Sequence, residues 1–127
     1  MISIGLLLML SLYNKPHLDI DKSTADLIIT AQNVLDDYQK DENVANNKYV
    51  DNIIQIKGVV SNISFSDGNS IITFKDPNGI SSIMCHMSPE QNLNVLKLKK
   101  DSQITVKGLC TGYLLDVIMV RCILVNN

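Results

Sequence analysis

Ile104-Thr-Val-Lys-Gly-Leu-Cys-Thr-Gly-Tyr-Leu-Leu-Asp-Val-Ile-Met-Val-Arg-Cys-Ile-Leu-Val125 decides the fold. Apolar residues alternate with others on both sides of Gly112, so the stretch reads as two β-strands joined by a tight, glycine-containing turn. Residues two apart share a strand face. Cys110 therefore groups with Ile104, Val106 and Gly108, and Cys122 with Ile118, Val120 and Leu124. Both cysteines are expected to point inward, into a small curled sheet.

Working back along the chain, the same period recurs. Ile54, Ile56, Gly58 and Val60 share one face of a long first strand, and its central glycine suits a bulge or bend. Ser66-Asp-Gly-Asn69 carries turn chemistry. Ser70–Lys75 then forms strand two, with Ile72 and Phe74 on one side. Asp76-Pro-Asn-Gly79 is a second turn and Ile80–Met87 strand three. Ser88-Pro-Glu90 starts a helix, with proline at the first helical position and an acid in the first turn. Its Leu93, Leu96 and Leu98 are expected to face inward. Ile104–Cys110 and Val117–Val125 make strands four and five.

Ahead of the strands, Thr30 is placed as an N-cap. Ala31, Val34, Leu35 and Tyr38 follow at the spacing of one apolar helical face, and Ala45 and Tyr49 mark a second helical segment. This order predicts a mainly β fold: a five-stranded OB-fold barrel with a helix between strands three and four, preceded by an N-terminal helical extension. An open α+β sheet with its helices on one face is the competing layout.

Length and composition set the limits. The 127 residues suffice for one core, and 46% hydrophobic with 19% charged residues suits a globular domain. The net charge of −2 argues against a generic phosphate binder. The one basic cluster, Lys97, Lys99 and Lys100, reads as a solvated helix end. Residues 1–13 are almost wholly apolar, too few to span a membrane alone. Without a charged start or a small-residue cleavage site, they read as a membrane anchor or export signal lacking its basic part. No cysteine precedes Cys85, which excludes lipid attachment at a cysteine just behind this segment. The expected organisation is an apolar anchor over 1–13, a linker over 14–29, a helical extension over 30–50 and the barrel over 51–127. The expected location is the cell envelope, membrane-anchored or periplasmic.

Several short motifs carry a family likeness. They are Tyr13-Asn-Lys-Pro-His17, Thr30-Ala31, Ala45-Asn-Asn-Lys-Tyr49, Ile56-Lys-Gly-Val-Val60, Met84-Cys85 and the Val106-to-Cys122 close. In this order the chain resembles the tRNA anti-like OB-fold family, small bacterial proteins often carried behind a membrane helix. The resemblance implies an OB barrel, a helical extension and export, and little chemistry.

Candidate chemistry is sparse. If the domain is exported, a Cys110–Cys122 disulfide is allowed, although a simple hairpin register does not set the two opposite; three free buried thiols are the other reading. Cys85 and His86 are consecutive strand residues and face opposite ways, so they cannot share an ion. Neither metal nor other cofactor is expected. Asp36, Asp37, Asp67, Asp76 and Asp116 read as solvated charges in turns or on the helix face, and no nucleophilic triad or phosphate-cradling loop is visible. The chain is therefore expected not to be an enzyme.

The ligand-facing set is expected to be Lys57, Ile71, Thr73, Lys75, Met84, His86 and Tyr113. The face of strands two and three lacks the outward aromatics on which single-strand binders stack bases. The leading expectation is a non-catalytic binding module for another envelope protein or glycan. A single-stranded nucleic-acid or oligosaccharide binder using the face of strands two and three is the alternative. Val59, Ile71 and Met84 are apolar on that outward side, and cover by the N-terminal helix would account for them.

Overall fold

The structure is a computed structural model that describes residues 24–125, apart from 78 and 80. The anchor expected over 1–13 and most of the linker, His17 included, lie outside these residues. No helix among the described residues is long and apolar enough to cross a membrane.

The described residues form seven strands and three α-helices, with the strands dominating. In chain order these are β1 (Leu27–Thr30), α1 (Ala31–Lys40), α2 (Glu42–Tyr49), β2 (Ile53–Val59) and β3 (Asn62–Ser66). They are followed by β4 (Asn69–Lys75), β5 (Ser82–Met87), a 3-10 turn (Pro89–Gln91), α3 (Asn92–Leu96), β6 (Gln103–Leu114) and β7 (Asp116–Leu124). All strands join one sheet in the order β1-β2-β6-β7-β5-β4-β3, open at β1 and β3.

Seven strands replace the expected five for two reasons. The Leu27–Thr30 run pairs in parallel with β2 and adds an edge. The expected long first strand buckles at Val60 and Ser61, and its two halves pair with different neighbours. The Val60 amide donates to Ser102 (2.9 Å), while its carbonyl accepts from Asp101 (2.8 Å) on the β6 side. One residue on, the Ser61 amide donates to Thr73 (2.8 Å), and its hydroxyl accepts from the Lys75 amide (2.9 Å) on the β4 side. The sheet must curl for β2 and β3, separated by two residues, to stand near its opposite ends.

α1 forms as its apolar spacing predicts. The Thr30 hydroxyl accepts from the Asn33 amide (3.2 Å), and Ala31, Val34, Leu35 and Tyr38 are buried. Asp41 caps α2 in the same way, accepting from Asn43 and Val44. The buried residues of both helices share one core with Ile54, Ile56, Phe74, Ile83, Cys85 and Val106. Gly58 permits this approach, since a Cβ there would lie 2.9 Å from both the Ala31 Cβ and the Phe74 ring. The helices thus pack on the inward side, and Val59 on the outward side stays 53% exposed.

Three further expectations are corrected. Gly112 is not the turn of the last hairpin. It sits at a register shift with φ 137°, and the tip is Leu115 with φ 68°. The alternation of β7 does not run through Cys122. Val117 and Met119 face inward, Ile118 and Val120 outward. An irregularity at Arg121 (φ 54°) then flips the phase and brings Cys122 inward. In α3, Val95 is buried while Leu93 and Leu96 are 73% and 63% exposed. A helix of five residues buries one contact, not a face.

Candidate functional site

The expected ligand-facing residues divide among three places. Ile71, Thr73, Met84 and His86 share the outward face of β4 and β5, where Ile71 stands opposite His86 and Thr73 opposite Met84. Met84 also registers with Ile118 of β7. The phase flip at Arg121 leaves Ile118 and Val120 outward too, so this half-buried apolar face is wider than the sequence suggests. Ser82 does not belong to it. Ser82 is 8% exposed, and its amide and hydroxyl both donate to Asp116 Oδ1 at 2.9 Å.

Lys57 and Lys75 come together elsewhere. They line a cleft of about 310 Å³ with Thr30 and Gln32 at the start of α1, Ser61, Phe74, Pro77 and Gln103. The register explains this: Lys75 ends β4 beside the corner at Ser61, and Lys57 lies on the strand entering that corner.

Tyr113 belongs to a third place. Its ring meets Tyr38 edge-on, with centroids 5.1 Å apart, and its hydroxyl shares a hydrogen bond of 2.8 Å with Ser81 Oγ. Tyr113 lines a cleft of about 590 Å³ between the end of α2 and the β6–β7 hairpin. The other walls are Asn46, Asn47, Val50, Asp51, Thr111, Gly112, Leu114 and Ile118. Sequence reasoning gave Asn46 and Asn47 a place in a family motif but no site role, and passed over Asp51, because polar residues at a helix end look like ordinary solvated positions.

The cysteines are not bridged. Cys85, Cys110 and Cys122 are free and buried, and the expected Cys110–Cys122 pair is corrected by the register, which sets Cys110 opposite Met119. Burial pushes the Cys110 and Cys122 thiols up. The nucleophile is the thiolate, so these groups are held in their unreactive form. Among the described residues no group of three or more His, Cys, Asp or Glu side chains is arranged to hold a metal ion.

Several carboxylates expected to be solvated are instead structural. Asp76 is 4% exposed and accepts from Gln39 Nε2 (3.0 Å) and Gln32 Nε2 (3.3 Å), tying its turn to α1. Asp116 binds the start of β5 through Ser82. Asp37 accepts from the Tyr49 hydroxyl and from Lys48 Nζ (3.3 Å). These two partners hold its carboxyl below the ordinary 3.8, Tyr49 contributing most, against an opposing push from burial.

A mainly β sheet curled round one core and capped by a helix pair places the chain among OB-like folds. Comparison with known proteins gives the family. The model of the tRNA_anti-like family matches residues 3–124, and the chain belongs to that family. It is similar in structure to the "putative nucleic acid-binding lipoprotein" of Klebsiella pneumoniae subsp. pneumoniae MGH 78578. Identity is 15% and the TM-score 0.67, over 78% of this chain and 91% of that one. It is also similar to part of a "putative aspartyl-tRNA synthetase" of Leishmania major Friedlin. There the identity is 12% and the TM-score 0.54, over 83% of this chain and 21% of that one. At such identities the likeness is one of fold. No curated protein matches the chain.

Proposed function

We propose that this chain is a non-catalytic OB-fold binding module, tethered to or exported across a membrane, that docks another envelope protein on the outward face of β4, β5 and β7. In this reading β2 and β3 are one buckled OB strand and β1 is an edge added by the extension, so the barrel over 51–127 keeps five strands. Residues 30–50 form its end-cap, and the apolar run over 1–13 supplies the tether. The observation that carries the proposal is the face itself. Ile71, Met84, Ile118 and Val120 are apolar on the outward side of strands whose other side is the core. The helices pack against that core instead of covering them. These half-buried apolar residues alternate on the face with Thr73 and His86, and such a mixed surface suits a protein partner.

The test compares capture from solubilised membrane fractions by the wild type, by Ile71→Glu with Met84→Glu, and by a Lys97→Glu control. One protein retained by wild type and control and lost with the face variant is the expected result. Equal retention by all three counts against the proposal.

A second reading, single-stranded nucleic acid laid along the same face, is favoured by one observation: Lys57 and Lys75 converge in the cleft at its end. It predicts oligonucleotide binding that weakens steeply with salt and is reduced by Lys57→Ala with Lys75→Ala.

A further inference from the structure

Leu114 and Leu115, at the tip of the β6–β7 hairpin, are 83% and 85% exposed, more than any other large hydrophobic side chain among the described residues. Leu115 also holds φ 68°; the other non-glycine residues at positive φ are three aspartates and an arginine. Asparagine or glycine would take that backbone at less cost, so the turn itself does not call for an aliphatic side chain. The pair stands on a braced base. Tyr113 before it is held by the Tyr38 ring and by Ser81 Oγ. Asp116 after it accepts from the Ser82 amide and hydroxyl. Scattered exposed leucines are ordinary, but an adjacent pair, rigidly presented at a backbone cost, points to use.

The strand register sets the direction in which the tip points. Leu27 at the start of β1 lies beside Ile54, and Ile54 faces Gly108. β1 is parallel to β2, whereas β6 is antiparallel to it and runs on past Gly108 to Leu114. Those further residues carry the tip about 20 Å at roughly 3.3 Å each. The tip therefore overhangs the end of the sheet at which the chain enters β1. The other two exposed leucines, Leu93 and Leu96 of α3, lie elsewhere. Their neighbour Gln91 accepts from the Leu124 amide, at the opposite end of β7 from the tip.

We infer that the Leu114–Leu115 tip dips into the surface of a zwitterionic phospholipid bilayer, the same one that holds the apolar run over 1–13. This rests on the tether reading of the proposed function. Asp116 is the only charged residue between Lys107 and Arg121, and Asp51 lines the cleft beside Leu114. Two carboxylates, with no lysine or arginine inside that stretch, suit a neutral surface and disfavour an anionic one. A leucine passing from water to an apolar medium gains about tenfold or more in partition. Two are too few to hold a free protein on a bilayer, which takes a second signal. The tether supplies it by keeping the tip at high effective concentration. From residue 13 to Leu27 the chain can span at most about 50 Å, more than the overhang, so the tether permits the contact.

The test places the full chain, carbon-13 labelled at its leucine methyl groups, in phosphatidylcholine nanodiscs containing a lipid spin-labelled in the upper acyl chain. The expected result is loss of the Leu114 and Leu115 methyl signals while those of Leu93 and Leu96 persist. Flotation of the same chain with phosphatidylcholine vesicles reports the tether separately. A chain that floats but keeps its Leu114 and Leu115 signals overturns the tip assignment and leaves the tether standing. A chain that does not float sinks the tether reading and the tip assignment with it. Loss at Leu93 and Leu96 in place of the tip would also overturn the assignment. Leu114→Asn with Leu115→Asn touches no core residue and suits the positive φ. It is expected to float as wild type does, with its Leu93 and Leu96 lines sharpened because the domain tumbles free of the disc on its linker. Line widths unchanged from wild type would count against the contact.

Discussion

Replacing Gly108 by alanine presses one methyl group into the tightest place in the core. Gly108 faces Ile54 across the β2–β6 ladder and sits where the β6–β7 register shifts. Its added Cβ would lie 2.5 Å from the Cys122 sulfur, 3.1 Å from the Val120 carbonyl oxygen and 3.2 Å from the Cys122 Cα. Ordinary contact needs about 3.5–4.0 Å, so the sulfur must retreat by about 1 Å or more. Cys122 is fully buried and has little room to do so. Overpacking of this kind costs about 1–3 kcal/mol; with about 4 °C lost per kcal/mol, the melting point falls by about 8 °C. Cys122→Ala alone removes one buried atom, at about 1 kcal/mol. In the double variant the worst contact is gone and the two backbone contacts remain. The sum of the single costs should therefore exceed the double by about 1 kcal/mol. The assay is urea unfolding of all four proteins under reducing conditions with a common m-value. A Gly108→Ala protein within about 0.5 kcal/mol of wild type, or a cycle additive to within about 0.5 kcal/mol, would refute the placement of the thiol against the glycine.

Three other outcomes are expected. Because Tyr49 and Lys48 lower the Asp37 pKa, the stability this carboxylate confers is present above about pH 4 and is lost as pH falls through its depressed folded value. Urea midpoints at pH 6 and pH 3 should therefore differ less in Tyr49→Phe than in wild type, and an unchanged difference would exclude the Tyr49–Asp37 bond as the cause. Leu115 is 85% exposed at φ 68°, a conformation that costs a branched side chain about 1–2 kcal/mol. Leu115→Asn should raise the melting point by a few degrees, measured by calorimetry, and a fall would show that the tip is held by contacts of its own. The native protein should react only slowly with a thiol reagent at pH 8, and the unreduced, unfolded protein should release three thiols; one thiol would point to a bridge.

The helical extension and most strand positions were legible, because spacing alone decides which residues Thr30–Tyr38 and Ile72–Phe74 bury. Three features were not. The buckle at Val60 depends on neighbours that switch within one residue. The inward turn of Cys122 depends on a local irregularity at Arg121, and period-two counting runs straight through it. Asp76 reads as a turn carboxylate, and nothing in its own segment announces that Gln32 and Gln39 reach it from α1. The large cleft was hidden for a similar reason: Asn46, Asn47 and Asp51 gain meaning only once the hairpin carrying Tyr113 folds against them.

The buckled strand also sets a timetable for the nascent chain. Ile53 waits for Leu109, and Cys85 for Met119, so these strands leave the ribosome well before their partners. Such separation slows closure. β3, β4 and β5 can pair with near neighbours as they emerge, whereas β2 lacks its antiparallel partner until β6 has been synthesised.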